Sequence, residues 1–417
     1  MIGFECLGSA CEDTCCQDWQ IPVYADDLVR LRSAFDASPA GRPALEVALE
    51  LRTSEAAGEP VATLRLREDH HCHFLDAAKL CGVHAAHGEP ALPVGCSMFP
   101  RWVARLGDRL ELHGELSCPE VVRRSLLDDQ GLELIAADAA LLGRGDVRMD
   151  ALGGGDKRDR DSTIAEVEAV RGSLVRLLAT PEFPAASRLF FAARLAHEAR
   201  DVLETERRRF DARLFAKLVA RIEEPTSLNA LHERLEGTAV RGPGMAPLVL
   251  QVLTARADRD RSYAQLMDEI VAGYLSRDAT LDGGAAAEGS GPVPINGARL
   301  WGAYLRRRAA LPTMALRWVD RALLGYARSY LGRQWHTGSP DLVVYLHGLL
   351  ARLAALRFLL VGHPGIDGDD PRAAVVNVVY RFARAMDHND AWAPVLAGFL
   401  LEGAATTLDH ALALIKT

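Results

Sequence analysis

The sequence predicts a mainly α protein, with an irregular cysteine-rich N-terminal module that carries a small hairpin, followed by a large helical domain. Three observations carry this reading. All eight cysteines, Cys6, Cys11, Cys15, Cys16, Cys72, Cys81, Cys96 and Cys118, fall in the first 118 of 417 residues. Gly and Pro break those same residues into short segments. From about residue 119 onward, Ala, Leu and Arg recur at helical spacing. The expected division is a module over 1–120 and a helical domain over 121–417.

Within the module, Ala25 to Ala37 reads as a helix with Leu28, Leu31 and Phe35 on one face, and Pro43 to Leu51 as a second. Trp102 to Leu106 and Arg109 to His113, joined by Gly107-Asp108, read as a hairpin. The rest reads as loops, as expected where a metal takes over part of the role of a hydrophobic core. In the second region the pattern predicts helices over 119–144, 163–180, 185–223, 226–236, 245–257, 261–276, 297–331, 340–362, 371–387 and 391–415. Asp146 to Ser162 and the Gly/Ala-rich Asp278 to Pro294 read as linkers.

Hydrophobic residues make up 49% and charged residues 25%, a balance that permits a sizeable core. The formal net charge is −8, and the arginines are scattered, so nothing recommends nucleic acid as a partner. The start Met1-Ile2-Gly3-Phe4-Glu5 has neither a basic nor an apolar region of the secretory kind, so a cytoplasmic location is expected. The most apolar stretch, Leu342 to Val361, contains His347, Arg352 and Arg357. Charges there are costly in a bilayer, so a buried bundle helix is expected and no membrane span.

In a reducing compartment a cysteine cluster points to metal more than to disulfides. The first group is Cys6-x4-Cys11-x3-Cys15-Cys16; the second is Cys72-x8-Cys81-x14-Cys96, followed by Cys118. Thiolates suit both zinc and iron–sulfur clusters. The C-x2-C spacing of zinc knuckles is absent, and adjacent Cys15-Cys16 seldom share one small ion. A cubane cluster takes four thiolates, or three with an open iron, so one or two sites are possible on arithmetic alone. Cys11-x3-Cys15 begins the radical-type C-x3-C-x2-C pattern, but Asp18 stands where the third cysteine is needed.

Two strings carry a resemblance. One is Cys6-Leu-Gly8-Ser-Ala-Cys11-Glu12-Asp13-Thr14-Cys15-Cys16-Gln-Asp-Trp19. The other is Cys72-His-Phe74-Leu75-Asp76 to Cys81, then Cys96-Ser-Met-Phe99-Pro100-Arg101 and Ser117-Cys118-Pro119. Over roughly residues 4–120 the chain resembles the flagellin lysine-N-methylases. The resemblance implies S-adenosylmethionine-dependent methylation of lysine side chains on a protein, possibly flagellin. It also implies a [4Fe–4S] cluster on the eight cysteines, and an iron without a cysteine ligand is the expected anchor for S-adenosylmethionine. Arg101 and Trp19 are the candidate cofactor-binding residues. Their plain alternatives are an ion pair for Arg101 and a core anchor for Trp19.

No residue declares itself as the base that takes the lysine proton. Glu12 and Asp13 are candidates for base or turn cap, with capping the expected role, and His70, His71 and His73 for metal ligation or, as expected more often, polar support around Cys72. Gly153 to Gly155 and Gly283-Gly284 read as loops without a preceding strand, so no dinucleotide-type nucleoside site is visible. Two other functions stay open: a non-methylating iron–sulfur redox or metal-binding module, and a related enzyme modifying a small amine or peptide. The oligomeric state is not readable from the sequence.

Overall fold

A computed structural model describes residues 4–36, 41–52, 59–128, 131–133, 135, 136, 138, 150–152, 157–203, 210–239, 246–254, 260–276, 297–387, 392–402 and 406–417. The described residues are mainly helical. The chain divides into two compact units, one made of 1–105, 109–124 and 133–150, the other of 106–108, 125–132 and 151–417. The second expected linker, Asp278 to Pro294, lies outside the described residues.

The first unit opens with strand β1 (Pro22–Val23), helix α1 (Ala25–Phe35), helix α2 (Gly41–Ala48), strand β2 (Leu49–Leu51) and strand β3 (Ala62–Leu64). The three strands form an antiparallel sheet in the order β1-β3-β2, with Val23 opposite Ala62 and Glu50 opposite Thr63. This corrects the expected helix over Pro43 to Leu51. Its last three residues turn into β2, where β3 and the Arg65 side chain, which donates to the Leu49 carbonyl at 3.0 Å, take the backbone groups. The sheet itself was not expected, because strands of two or three residues are too short to show a period of two.

Two short helices follow, α3 (Gly82–His87) and α4 (Val94–Met98), then the expected hairpin of β4 (Arg101–Leu106) and β5 (Arg109–Gly114). Gly107 turns it with φ +64°, a conformation a side chain disfavours. Helix α5 (Pro119–Val122) runs into a π-helical stretch, Arg123–Leu127. The helix expected over 119–144 thus ends at Leu127, where Gly131 donates back to the Asp128 carbonyl in a turn. The core of the unit gathers Ile21, Val23, Leu31, Leu45, Leu64 and Cys72.

A short strand, β6 (Asp150–Leu152), precedes Gly153, contrary to the loop reading; the three glycines lie outside the described residues. Helix α6 (Lys157–Leu178) begins inside the first expected linker.

The second unit continues with α7 (Ala185–Leu203), α8 (Ala212–Ile222), α9 (Pro225–Gly237), α10 (Ala246–Thr254) and α11 (Arg261–Ser276). It closes with α12 (Gly297–Ala310), α13 (Thr313–Arg333), α14 (Leu342–Gly362), α15 (Pro371–Asp387), α16 (Trp392–Glu402) and α17 (Leu408–Lys416). Three expected helices are each divided in two. Asp211 caps α8, accepting from the Arg213 and Leu214 amides at 3.0 Å, Pro312 precedes α13, and Thr407 caps α17.

Helix α14 is buried along nearly its whole length and packs against α7, α10, α13, α15, α16 and α17. It is long and apolar enough to cross a membrane by composition, but its polar side chains find partners inside the bundle. Arg352 reaches the Met386 carbonyl at 3.2 Å, Arg357 the Ile415 carbonyl at 2.6 Å, and His347 the Val343 carbonyl at 2.8 Å. That is the buried bundle helix its composition and charges predict.

A close helix crossing sits at the end of α14. A Cβ on Gly362 would lie 2.5 Å from Tyr274 and 2.6 Å from Ile270, both fully buried on α11. Tyr274 cannot swing away without losing its 2.6 Å hydrogen bond to the Phe358 carbonyl. Gly362→Ala is therefore expected to cost about 1–3 kcal/mol as overpacking. A lowered denaturation midpoint measures this, and an unchanged midpoint would show that α11 yields freely.

Candidate metal centre

The cysteine strings are held by local hydrogen bonds before any metal is considered. Asp13 accepts from the Thr14 amide at 2.8 Å and from the Gln17 side chain at 2.6 Å, and Thr14 Oγ1 accepts from the Cys16 amide at 3.2 Å. Asp13 is thus a turn cap, one of the two roles its position suggests. The Trp19 indole donates to the Cys15 carbonyl at 2.6 Å, and its ring packs on Phe99 at 5.7 Å. Glu12 pairs with Arg123.

The first and second strings are zipped together. The Cys72 amide donates to the Cys16 carbonyl at 2.7 Å, the Asp18 amide to the His70 carbonyl at 3.0 Å, and Gln17 pairs across from His71. Residues 72–81 close into a loop, with Asp76 Oδ1 accepting from the Ala78 and Leu80 amides at 2.8 Å. From this loop Lys79 reaches back to the Cys11 and Glu12 carbonyls at 3.4 and 3.5 Å. His71 pairs with Asp69 at 3.2 Å and His70 approaches Asp18 at 3.6 Å.

Cys96 sits in α4, whose start is fixed by an aspartate that sequence reasoning missed. Asp27, 1% exposed, accepts from the Tyr24 amide at 3.1 Å, from Arg30 at 2.5 Å and from the Val94 amide at 3.0 Å. Only its place in the first turn of α1 could have drawn attention to it. Arg101 donates to the Ser97 and Met98 carbonyls at 2.5 and 3.3 Å and lies 3.7 Å from Glu89. It braces the C-terminal end of α4. Cys81 and Cys118 stand at the N-caps of α3 and α5.

None of the eight thiols is in a disulfide. Four receive backbone N–H groups from two residues downstream: Cys6 from Gly8 at 3.5 Å, Cys11 from Asp13, Cys72 from Phe74, and Cys118 from Glu120, with Val121 added. Such bonds stabilise a thiolate and tune the potential of a cluster bound to it.

Burial works the other way. It raises the Cys11 and Cys72 thiols, raises Cys96 well above its usual value, and pushes Cys118 up to about 12. Cys16 is raised first by its hydrogen bond with the Cys15 thiol and then by burial. Neighbouring thiolates add to the effect throughout. Burial thus favours the neutral thiols, and a metal bound to them would expel their protons.

Eight free thiols in one unit are donors of the kind a thiolate-bound metal group takes. Among the described residues no three Cys, His, Asp or Glu side chains lie as close as a single ion requires. A cluster places its own inorganic sulfides between the irons and so takes a wider cage of thiolates than one ion does.

Comparison with known proteins adds the family. The chain is 30% identical over 131 residues to the flagellar biosynthetic protein FliU of Salmonella muenchen, a stretch covering 76% of that protein and 31% of this chain. The chain belongs to the FliU and flagellin lysine-N-methylase family. Members named lysine-N-methylase from Salmonella typhimurium strain LT2 and Salmonella choleraesuis strain SC-B67 are also 30% identical over 131 residues. The chain matches 32% of the length of each of these two family members. No family model matches the chain, and no solved structure matches it.

Proposed function

We propose that this chain transfers methyl groups from S-adenosylmethionine to lysine side-chain amines of a protein, flagellin or another, and that its cysteines hold [4Fe–4S] iron. The relatives named lysine-N-methylase carry this reading. The thiol set supports its second half, since eight free cysteines gather in one unit with N–H groups aimed at four of them. A reducing compartment, the cytoplasm, keeps such thiols available for metal.

In the reaction the lysine nitrogen forms a bond to the methyl carbon, the carbon–sulfonium bond breaks, and S-adenosylhomocysteine leaves. The amine must first lose a proton, because an ammonium with an ordinary pKa of about 10.4 has no free electron pair. When bound, iron–sulfur clusters supply Lewis acidity or electron transfer. The chain's own residues supply placement: Trp19 holds the Cys15 carbonyl, Arg101 braces the helix of Cys96, and Lys79 joins the two cysteine loops.

The test is methyl transfer from labelled S-adenosylmethionine to purified flagellin by anaerobically prepared protein, read as methyl-lysine by mass spectrometry. Methyl-lysine on flagellin supports the proposal. Transfer to a small amine alone would move the chain to a small-molecule or peptide enzyme. Failure to bind S-adenosylmethionine would overturn methylation altogether.

A further inference from the structure

We propose that a cleft in the helical unit, beside the Glu166–His336 pair, receives the amine end of a lysine side chain, and that His336 is the base that takes its proton. This rests on the methylation reading above and deepens it by naming the base that reaction needs.

The cleft lies between α6 and the connection from α13 to α14, residues 334–341. Val167, Val170 and Leu331 give it aliphatic walls, and Arg171, His336 and Tyr345 give it polar ones. It is half-enclosed, and its inner space of about 10 Å³ admits the centre of one group the size of water. An amine head is such a group, and the unbranched stem of lysine is apolar like the walls.

The pair is set in place before any ligand arrives. His336 is 8% exposed, and its Nε2 lies 2.9 Å from Glu166 Oε1 on α6. A carboxylate only accepts, so Nε2 carries the hydrogen and the electron pair is left on Nδ1. The connection that bears His336 is tied at both ends. The Gln334 amide donates to the Tyr330 carbonyl at 2.8 Å, and the Gln334 carbonyl accepts from the Tyr345 hydroxyl at 2.7 Å. The Ser339 amide donates to the His336 carbonyl at 2.9 Å, and the His336 ring meets Tyr345 edge-on at 6.4 Å.

The surroundings favour a neutral amine. Aliphatic walls withhold water from an ammonium, and Arg171 adds a like charge. Glu166 stands ready to balance the imidazolium that forms. The proton passes from the lysine nitrogen to Nδ1. The freed electron pair then bonds to the methyl carbon of S-adenosylmethionine, the carbon–sulfonium bond breaks, and S-adenosylhomocysteine leaves. A purely structural pair would do no more than staple α6 to the connection.

The experiment follows the imidazole nitrogens of the full chain by NMR while n-butylamine, a mimic of the lysine side chain, is added. His336→Gln and Glu166→Gln, the first deleting and the second shifting the His336 signals, give two assignments. The Nδ1 signal is expected to move with n-butylamine and to stay with butyltrimethylammonium, which has no N–H to give. With both variants folded by circular dichroism, His336→Gln is expected to slow methyl transfer to flagellin about a hundredfold or more. Glu166→Gln is expected to shift the acid limb of its pH profile. An Nδ1 signal that ignores n-butylamine would overturn the amine site and leave a cleft that holds water beside a structural pair. Full methyl transfer by His336→Gln would overturn the base. An Nδ1 signal that responds, in a chain that methylates nothing, would keep the amine site and sink the methylation reading.

Discussion

Removal of the proposed metal is expected to unfold the first unit and leave the second folded. Outside the hairpin, the strands of the first unit have two or three residues each, and its helices other than α1 and α2 have four to six. Elements that short do not hold themselves. Cys72 is built into the core that joins them, and Cys16, Cys81 and Cys96 pack against it. Structural thiolate sites supply on the order of 10 kcal/mol of apparent folding free energy, comparable with the whole stability of a domain.

Hydrogen exchange with and without chelator under reducing conditions reads the outcome. Amides that zip the strings, such as Cys72 to Cys16 and Leu64 to Ile21, are expected to lose protection. Amides within α7 and α14 are expected to keep theirs, because their burial owes nothing to sulfur. Equal protection of the first unit in both states would show that its apolar core suffices without metal.

Asp387→Asn is expected to destabilise the helical unit by about 3–5 kcal/mol. Asp387 is 3% exposed and is shared by two buried cations, Arg333 at 2.9 Å and Arg352 at 3.3 Å, and by the Tyr326 hydroxyl at 2.6 Å. Arg352 also donates to the Met386 carbonyl and lies 5.4 Å from the centre of the Tyr330 ring. One carboxylate therefore balances two guanidiniums where water cannot. Asparagine keeps the shape and removes the charge that both buried cations share. Converting Arg333 and Arg352 to Met in the same chain is expected to recover much of the loss, since an apolar set of similar volume fills the space without charge. Chemical denaturation of the single and triple variants measures both effects. A loss below about 1 kcal/mol for Asp387→Asn would mean that water reaches the cluster.

The helical half was legible because its signal is long. A buried face repeats every three to four residues over four or more turns, and α11, α14 and α15 begin and end close to where the pattern does. The errors fall where one residue decides. Pro312 and Asp211 stop or start helices within stretches whose apolar period runs on. The cysteine unit was legible only in composition. Its residue types announce metal, but β1, β2 and β3 are too short for a pattern, and the tie from Asp27 to Val94 spans 67 residues. Spacing left one or two sites open for the same reason: which thiols meet depends on pairings such as Cys72 with Cys16, and these are tertiary.

The Asp27 tie also extends the reach of the centre beyond its sulfurs. Helix α1 contains no cysteine, yet its carboxylate holds the first amide of the helix that carries Cys96. The opposite side of α1 is open to solvent, with Val29 65% exposed. A displacement of α1 is therefore carried, through one carboxylate, to the helix that bears Cys96.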